Sequence, residues 1–202
     1  MYIIDNKLQN NRGPRGYVEI YESEAGKEEI KKLIGKSNLV VYLGREWLAQ
    51  KMINQNNSNV ASNKNEFICW LGLGSGGCPA GDPLNPTSPT NDDTDLDTEI
   101  PISATDSTCA DFHDGAYYKH PFDSMTFQQD ENNSDAYIIV KVTTTISASD
   151  ANGYNISEAG LFTALSDSGG YSGDFNLYAR VTFPTQVKTS SRILTFLWYL
   201  YV

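Results

Sequence analysis

Three runs decide the fold: residues 154–164, YNISEAGLFTA; residues 175–190, FNLYARVTFPTQVKTS; and residues 192–202, RILTFLWYLYV. In the second, Phe175, Leu177, Ala179, Val181 and Phe183 alternate with Asn176, Tyr178, Arg180 and Thr182, which is the period of two of a half-buried strand. In the third both faces are apolar. Ile193, Leu197, Tyr199 and Tyr201 fall on one, and Leu194, Phe196, Trp198, Leu200 and Val202 on the other. Chain ends are usually frayed, so a terminus this apolar is expected either to be a central strand covered on two faces or to lie at a subunit interface.

Upstream of these runs, residues 136–147 (AYIIVKVTTTIS) and 66–73 (EFICWLGL) read as further strands, and residues 16–21 (GYVEIY) as a short one. Residues 22–35 are charged, with Ile30, Leu33 and Ile34 spaced for one face of a helix. From Gly44, REWLAQKMIN is the strongest helix pattern, with Trp47, Leu48, Met52 and Ile53 on one side. Residues 74–135 carry few strand signals but six of the eight prolines: Pro79, Pro83, Pro86, Pro89, Pro101 and Pro121. A loop-rich stretch of that length is usually functional or laid against a partner. Only 20% of the 202 residues are charged, while eight Phe, twelve Tyr and three Trp supply large buried area. The expectation is a mostly β protein, an antiparallel β-sandwich with one or two short helices and a long loop-rich insertion.

Charge is unevenly placed. Between Asn65 and Tyr118 there is no Lys or Arg, yet ten acids occur there: Glu66, Asp82, Asp92, Asp93, Asp95, Asp97, Glu99, Asp106, Asp111 and Asp114. The rest of the chain holds 15 acidic and 15 basic residues, so the net charge of −10 resides in this segment. Nucleic-acid binding calls for a clustered basic face and is not expected. A solvated acidic loop is the plain expectation, and docking on a basic neighbour the alternative. No apolar run is long enough for a signal peptide or a membrane helix, so a membrane partner is not expected either. Cys69, Cys78 and Cys109 are odd in number and suit free thiols in a reducing cytoplasm, although a Cys69–Cys78 bridge across the glycine loop is feasible.

Several motifs invite chemistry. Gly72, Gly74 and Gly77 satisfy GxGxxG, but Cys78, Pro79, Gly81 and Pro83 follow where a phosphate-binding helix would have to start. They read instead as a tight turn where another backbone approaches. Asp93, Asp95 and Asp97 resemble the opening of a calcium loop and are weak candidate ligands, yet Thr98 and Ala104 occupy the positions where Gly and Glu are required. Cys69, Cys78, Cys109 and His113 could serve zinc but lack a CxxC pair. His113 and His120 are too isolated for catalysis, and no enzyme is expected. Glu158, inside an apolar strand, needs a partner such as Arg180.

Five segments in order also carry a resemblance. NISEAGLF (155–162), LYARVTFPTQVKTS (177–190) and TFLWYLYV (195–202) follow SNLVVYLGREWLAQKMI (37–53) and CWLGLGSGGCPAGDPLNPTSPTNDDTDLDTEI (69–100). Together they resemble a group of tailed-bacteriophage virion structural proteins, in which an E-x-GLF strand precedes ARVTFP…KTS and a terminal aromatic strand. The likeness spans residues 37–202 and leaves residues 1–36 as an N-terminal arm or extension. It implies a non-enzymatic component of the tail, neck or collar, or baseplate, made in the host cytoplasm and assembled into the virion. The partners implied are copies of the chain and other virion proteins, with Phe196, Trp198, Leu200, Val202, Tyr117 and Tyr118 as interface candidates. The alternative is a fibre-type adhesin or capsid decoration protein holding host glycan on Tyr117, Tyr118 and Phe122.

Overall fold

The computed structural model describes residues 15–54, 65–101, 117–129, 138–167 and 174–201. Its strands are β1 (Arg15–Glu24), β2 (Ile30–Val40), β3 (Phe67–Gly74), β4 (Lys119–Pro121), β5 (Ser124–Gln129), β6 (Ile138–Ile146), β7 (Asn155–Ala164), β8 (Asn176–Val187) and β9 (Arg192–Tyr201). One helix, α1, runs over Tyr42–Ile53. All pairings are antiparallel, and the strands form one nine-stranded sheet in the order β4-β3-β7-β8-β2-β1-β9-β6-β5. The mostly β, antiparallel fold expected from the sequence is the one that forms. Its two facing layers are halves of a single curled sheet.

Two places make the curl. β2 pairs with β1 along its length, but only Leu39 and Val40 reach β8, so this strand passes from one half to the other. At the opposite corner only Phe122 and Asp123 separate β4 and β5, the two edge strands. There the Phe122 N–H donates to Cys69 on β3, and the Asp123 N–H to Thr143 on β6. Between the halves lies the main core. Val18, Ile20, Val142, Leu194, Phe196, Trp198 and Leu200 from one side meet Leu71, Leu73, Ile156, Leu161, Val181 and Phe183 from the other. The Phe183 and Phe196 rings touch across it at 6.4 Å. Each such side chain contributes about 1.5–3 kcal/mol by leaving water.

The two diagnostic strands exchange the environments expected of them. Leu177 to Phe183 of β8, expected half-buried, are buried throughout. In β9, expected to be covered on both faces, Leu194, Phe196, Trp198 and Leu200 are buried while Ile193, Leu197, Tyr199 and Tyr201 are half-buried. The polar face of β8 is covered because residues 75–101 fold over Arg180, and a bulge in β8 turns Tyr178 into the main core, where Trp47 of α1 meets it edge-on at 5.7 Å. On β9 the outward aromatics are tyrosines, whose hydroxyl ends tolerate water.

Other expectations are corrected. Residues 15–36, expected as part of an N-terminal arm, supply β1 and most of β2 in the middle of the sheet, while residues 1–14 lie outside the described residues. The helical spacing of Ile30, Leu33 and Ile34 comes from a bulge: Ile20 faces Ile34 and Tyr21 faces Lys32, leaving Leu33 extra. Adjacent residues at a bulge can both turn toward the core, and Leu33 and Ile34 both pack on it. On α1, Trp47 and Leu48 face inward as expected, but Met52 is exposed and Gln50 is buried. The short strands β4 and β5 had no clear sequence signal.

Candidate functional site

Two arrangements of side chains stand out, one under residues 75–101 and one on the opposite outer surface. The first centres on Glu158 of β7, which is fully buried. Its Oε2 accepts from Arg180 Nε at 2.9 Å and Nη2 at 2.5 Å, and from the Asp97 N–H at 3.2 Å. Its Oε1 accepts from the Gly76 N–H at 2.9 Å and the Thr98 N–H at 3.0 Å. Arg180 reaches onward to Asp93 at 2.7 Å and Asp97 at 2.8 Å. Arg180 is thus the partner expected for Glu158. Burial works against its charge, but Asp97, Asp93 and Glu158 outweigh it and hold the guanidinium above its ordinary range. Burial likewise opposes ionisation of Asp93, and hydrogen bonds from Thr90 and Arg180 nevertheless hold that carboxyl below its ordinary value.

The glycine motif explains how this node fits. An added Cβ at Gly77 would lie 2.0 Å from the Ser157 carbonyl oxygen, and one at Gly74 2.4 Å from Glu158 Oε1. Gly76 N–H serves Glu158, and Gly77 N–H donates to Ser157 Oγ at 2.9 Å. The loop therefore uses its exposed amides as an anion cradle, and the anion is the chain's own Glu158. Beside it Lys119 bridges to Glu99, both buried, with its ammonium 4.2 Å from the Phe162 ring centre. Burial pushes the Glu99 carboxyl up while Lys119 pulls it down, and burial prevails.

The acidic segment is accordingly less solvated than its composition suggests. Glu66 is buried and accepts from Thr163 at 2.6 Å and from Asn176, and Asp93, Asp97 and Glu99 engage Arg180 and Lys119. The calcium candidates do not converge on a common point: Asp93 and Asp97 meet the guanidinium, and Asp95 accepts from the Leu96 N–H. Among the described residues no group of three or more His, Cys, Asp or Glu could hold a metal ion. Cys69 and Cys78 are free thiols, and Cys109 and His113 lie outside the described residues. Cys78 contacts the carbonyls of Pro83 and Phe183 at 3.4 Å.

The second arrangement is the outward face of β2, β1, β9 and β6. Register places Ser37, Tyr17, Tyr199 and Lys141 in one row and Gly35, Glu19, Leu197 and Thr143 in the next. Glu19 is buried at its centre, bridged to Lys32 and accepting from Tyr21 Oη at 2.9 Å and Tyr199 Oη at 3.3 Å. Burial raises its carboxyl, but the Lys32 and Tyr21 hydrogen bonds bring it below the ordinary value. The Tyr17 and Tyr199 rings lie 6.5 Å apart, and Lys141 sits 5.9 Å from the Tyr199 centre. An alanine at Gly35 would collide with Tyr17 Oη, so this glycine makes room for the ring. The result is a half-buried aromatic surface fixed around one ion pair. Sequence reasoning passed over it, although Glu19 within GYVEIY carries the same signal as Glu158, a carboxylate inside an apolar strand.

The interface candidates separate. Phe196, Trp198 and Leu200 lie in the chain's own core, correcting the expectation that they meet another subunit, and Val202 lies outside the described residues. Tyr118 is buried and only Tyr117, 39% exposed, reaches the surface, so the two do not form a paired platform for stacking on sugar. Phe122 packs on the core. No family model, curated protein or solved structure matches this chain.

Proposed function

We propose that the chain is a non-enzymatic structural component of a tailed-phage virion, in the tail, neck or collar, or baseplate, acting by self-assembly and docking to neighbouring virion proteins. The resemblance of residues 37–202 is the ground for the virion assignment. The observation that carries the assembly mechanism is the outward row of β9. Ile193, Leu197, Tyr199 and Tyr201 stay half-buried on a central strand, beside Tyr17 and Tyr21. Rigid aromatic anchors with polar tips, held around buried Glu19 and its half-exposed partner Lys32, have the composition of an interface core. Arg180 and Lys119 neutralise the acids nearest the sheet, and Asp82, Asp92 and Asp95 remain exposed as the part that a basic neighbour would meet.

Native mass by light scattering, with and without calcium, tests this. A closed oligomer that Leu197→Lys dissociates, with the monomer still folded, is the expected result. A parent that stays monomeric at high concentration and does not bind purified virion neighbours would refute the assembly role.

A further inference from the structure

The turn from β6 to β7 and the end of β8 bring together three groups that neither arrangement above uses. Lys188 is fully buried, and Asp150 is 6% exposed. The Lys188 ammonium nitrogen lies 3.2 Å from Asn152 Oδ1 and 3.1 Å from the Thr189 carbonyl oxygen. Backbone bonds fix the approach, since the Gly153 N–H donates to the Lys188 carbonyl and the Lys188 N–H to the Tyr154 carbonyl. The amide plane of Asn152 is also held: Nδ2 donates to the carbonyls of Ala148 at 2.8 Å and Ser149 at 3.0 Å. Asp150 is anchored in the same turn by Ser147 Oγ at 2.8 Å and Ser149 Oγ at 3.1 Å.

We propose that Lys188 and Asn152 join in an intramolecular isopeptide bond, tying the β6–β7 turn to the end of β8. A buried amine held 3.2 Å from the carbonyl oxygen of a fixed carboxamide has the carbon it would attack one bond further on, and proximity of this kind replaces a bimolecular encounter. Burial, reinforced by Arg192 and opposed by Asp150, lowers the Lys188 amine to about 8, so the neutral nucleophile is populated near physiological pH. Its lone pair attacks Asn152 Cγ, the Cγ–Nδ2 bond breaks, and the leaving nitrogen departs as ammonia with one of the two amine hydrogens. The other remains on the new amide. No oxidant or co-reactant is consumed, and we assign the proton transfer from amine to leaving group to Asp150, the buried carboxylate of this turn, which accepts hydrogen bonds from Ser147 and Ser149 and reaches the amine by a side-chain movement. Asn152 is half-buried beside exposed Ser149, which gives the ammonia a way out.

The proposal is independent of the virion assignment, and peptide mass mapping of the purified, denatured full-length protein tests it. The expected result is a branched species joining the peptides of Asn152 and Lys188, lighter by one ammonia than their sum and absent in Lys188→Arg and Asn152→Ala. Asp150→Asn is expected to slow linkage roughly 100-fold during refolding, and linkage at the parental rate would remove the proton role. Two separate unmodified peptides would overturn the bond. So would ammonia loss confined to the Asn152 peptide, which is the succinimide of an Asn-Gly sequence.

Discussion

Replacing Glu158 by glutamine tests the buried ion node at nearly constant volume. In the parent, one carboxylate oxygen accepts two Arg180 N–H groups and that of Asp97, and the other accepts the N–H groups of Gly76 and Thr98. A glutamine offers one acceptor oxygen. Whichever way its amide is turned, the NH2 end confronts donors: Arg180 and Asp97 in one rotamer, Gly76 and Thr98 in the other. Hydrogen bonds involving a charged group contribute about 1.5–3 kcal/mol each, and breaking a buried pair from one side costs about 3–5 kcal/mol. Arg180 keeps Asp93 and Asp97, so the fold is expected to persist with a loss of about 3–5 kcal/mol. For a chain of this size that corresponds to a Tm lower by roughly 6–20 °C. Urea unfolding followed by tryptophan fluorescence measures it, with Asp97→Asn as control. The Asp97 side chain is 57% exposed, and its exposed bridge is worth about 1 kcal/mol or less. If Glu158→Gln cost no more than this control, the node would not be what fastens residues 75–101 to the sheet.

Gly77→Ala would drive a methyl into the Ser157 carbonyl, and the same urea assay should record a loss of about 1–3 kcal/mol; no loss would mean the loop stands farther from β7. Burial, with the charges of Asp167 and Glu66, pushes the Cys69 thiol up to about 12, so peptide-mapped alkylation at pH 8 should spare Cys69 in the native protein and label half-buried Cys78 ahead of it. Asp93, whose folded carboxyl lies below 3.8, contributes stability above that pH that is lost as pH falls through the folded value. Acid titration of stability should therefore show a smaller drop below about pH 4 in Asp93→Asn. Deleting residues 195–202 removes Phe196, Trp198 and Leu200 and the shared partner of β1 and β6; the truncated chain should be insoluble, and a soluble chain with parental circular dichroism would contradict this.

The three closing runs were legible because strand periodicity is local. Their strand character located β7, β8 and β9, although a bulge in β8 puts Tyr178 in the main core and Leu177 in the outer cluster, and the demand that a buried carboxylate find a cation linked Glu158 to Arg180. The glycine motif was also readable, since the prolines after it denied the helix that a phosphate would need. Spacing misled where a bulge intervened: Leu33 and Ile34 imitate a helix face because the extra residue turns two neighbours toward one core. The tyrosine face around Glu19 was missed because its members come from strands far apart in sequence, Tyr17 and Tyr21 from β1 and Tyr199 from β9.

What the sequence determined by itself was the class of structure and the identity of its inner residues. Alternation and aromatic content follow from the chain alone, and one face of every strand must leave water. Which outer face is covered was decided only in three dimensions. The polar face of β8 is buried because Arg180 attracts the carboxylates of residues 93–97 and Gly74, Gly76 and Gly77 let that loop close in. No described segment carries matching groups to the outer face of β9, so its more apolar residues stay half open. Cover follows from complementary charge and close approach between distant segments, and neither quantity is written in the hydrophobicity of the strand being covered.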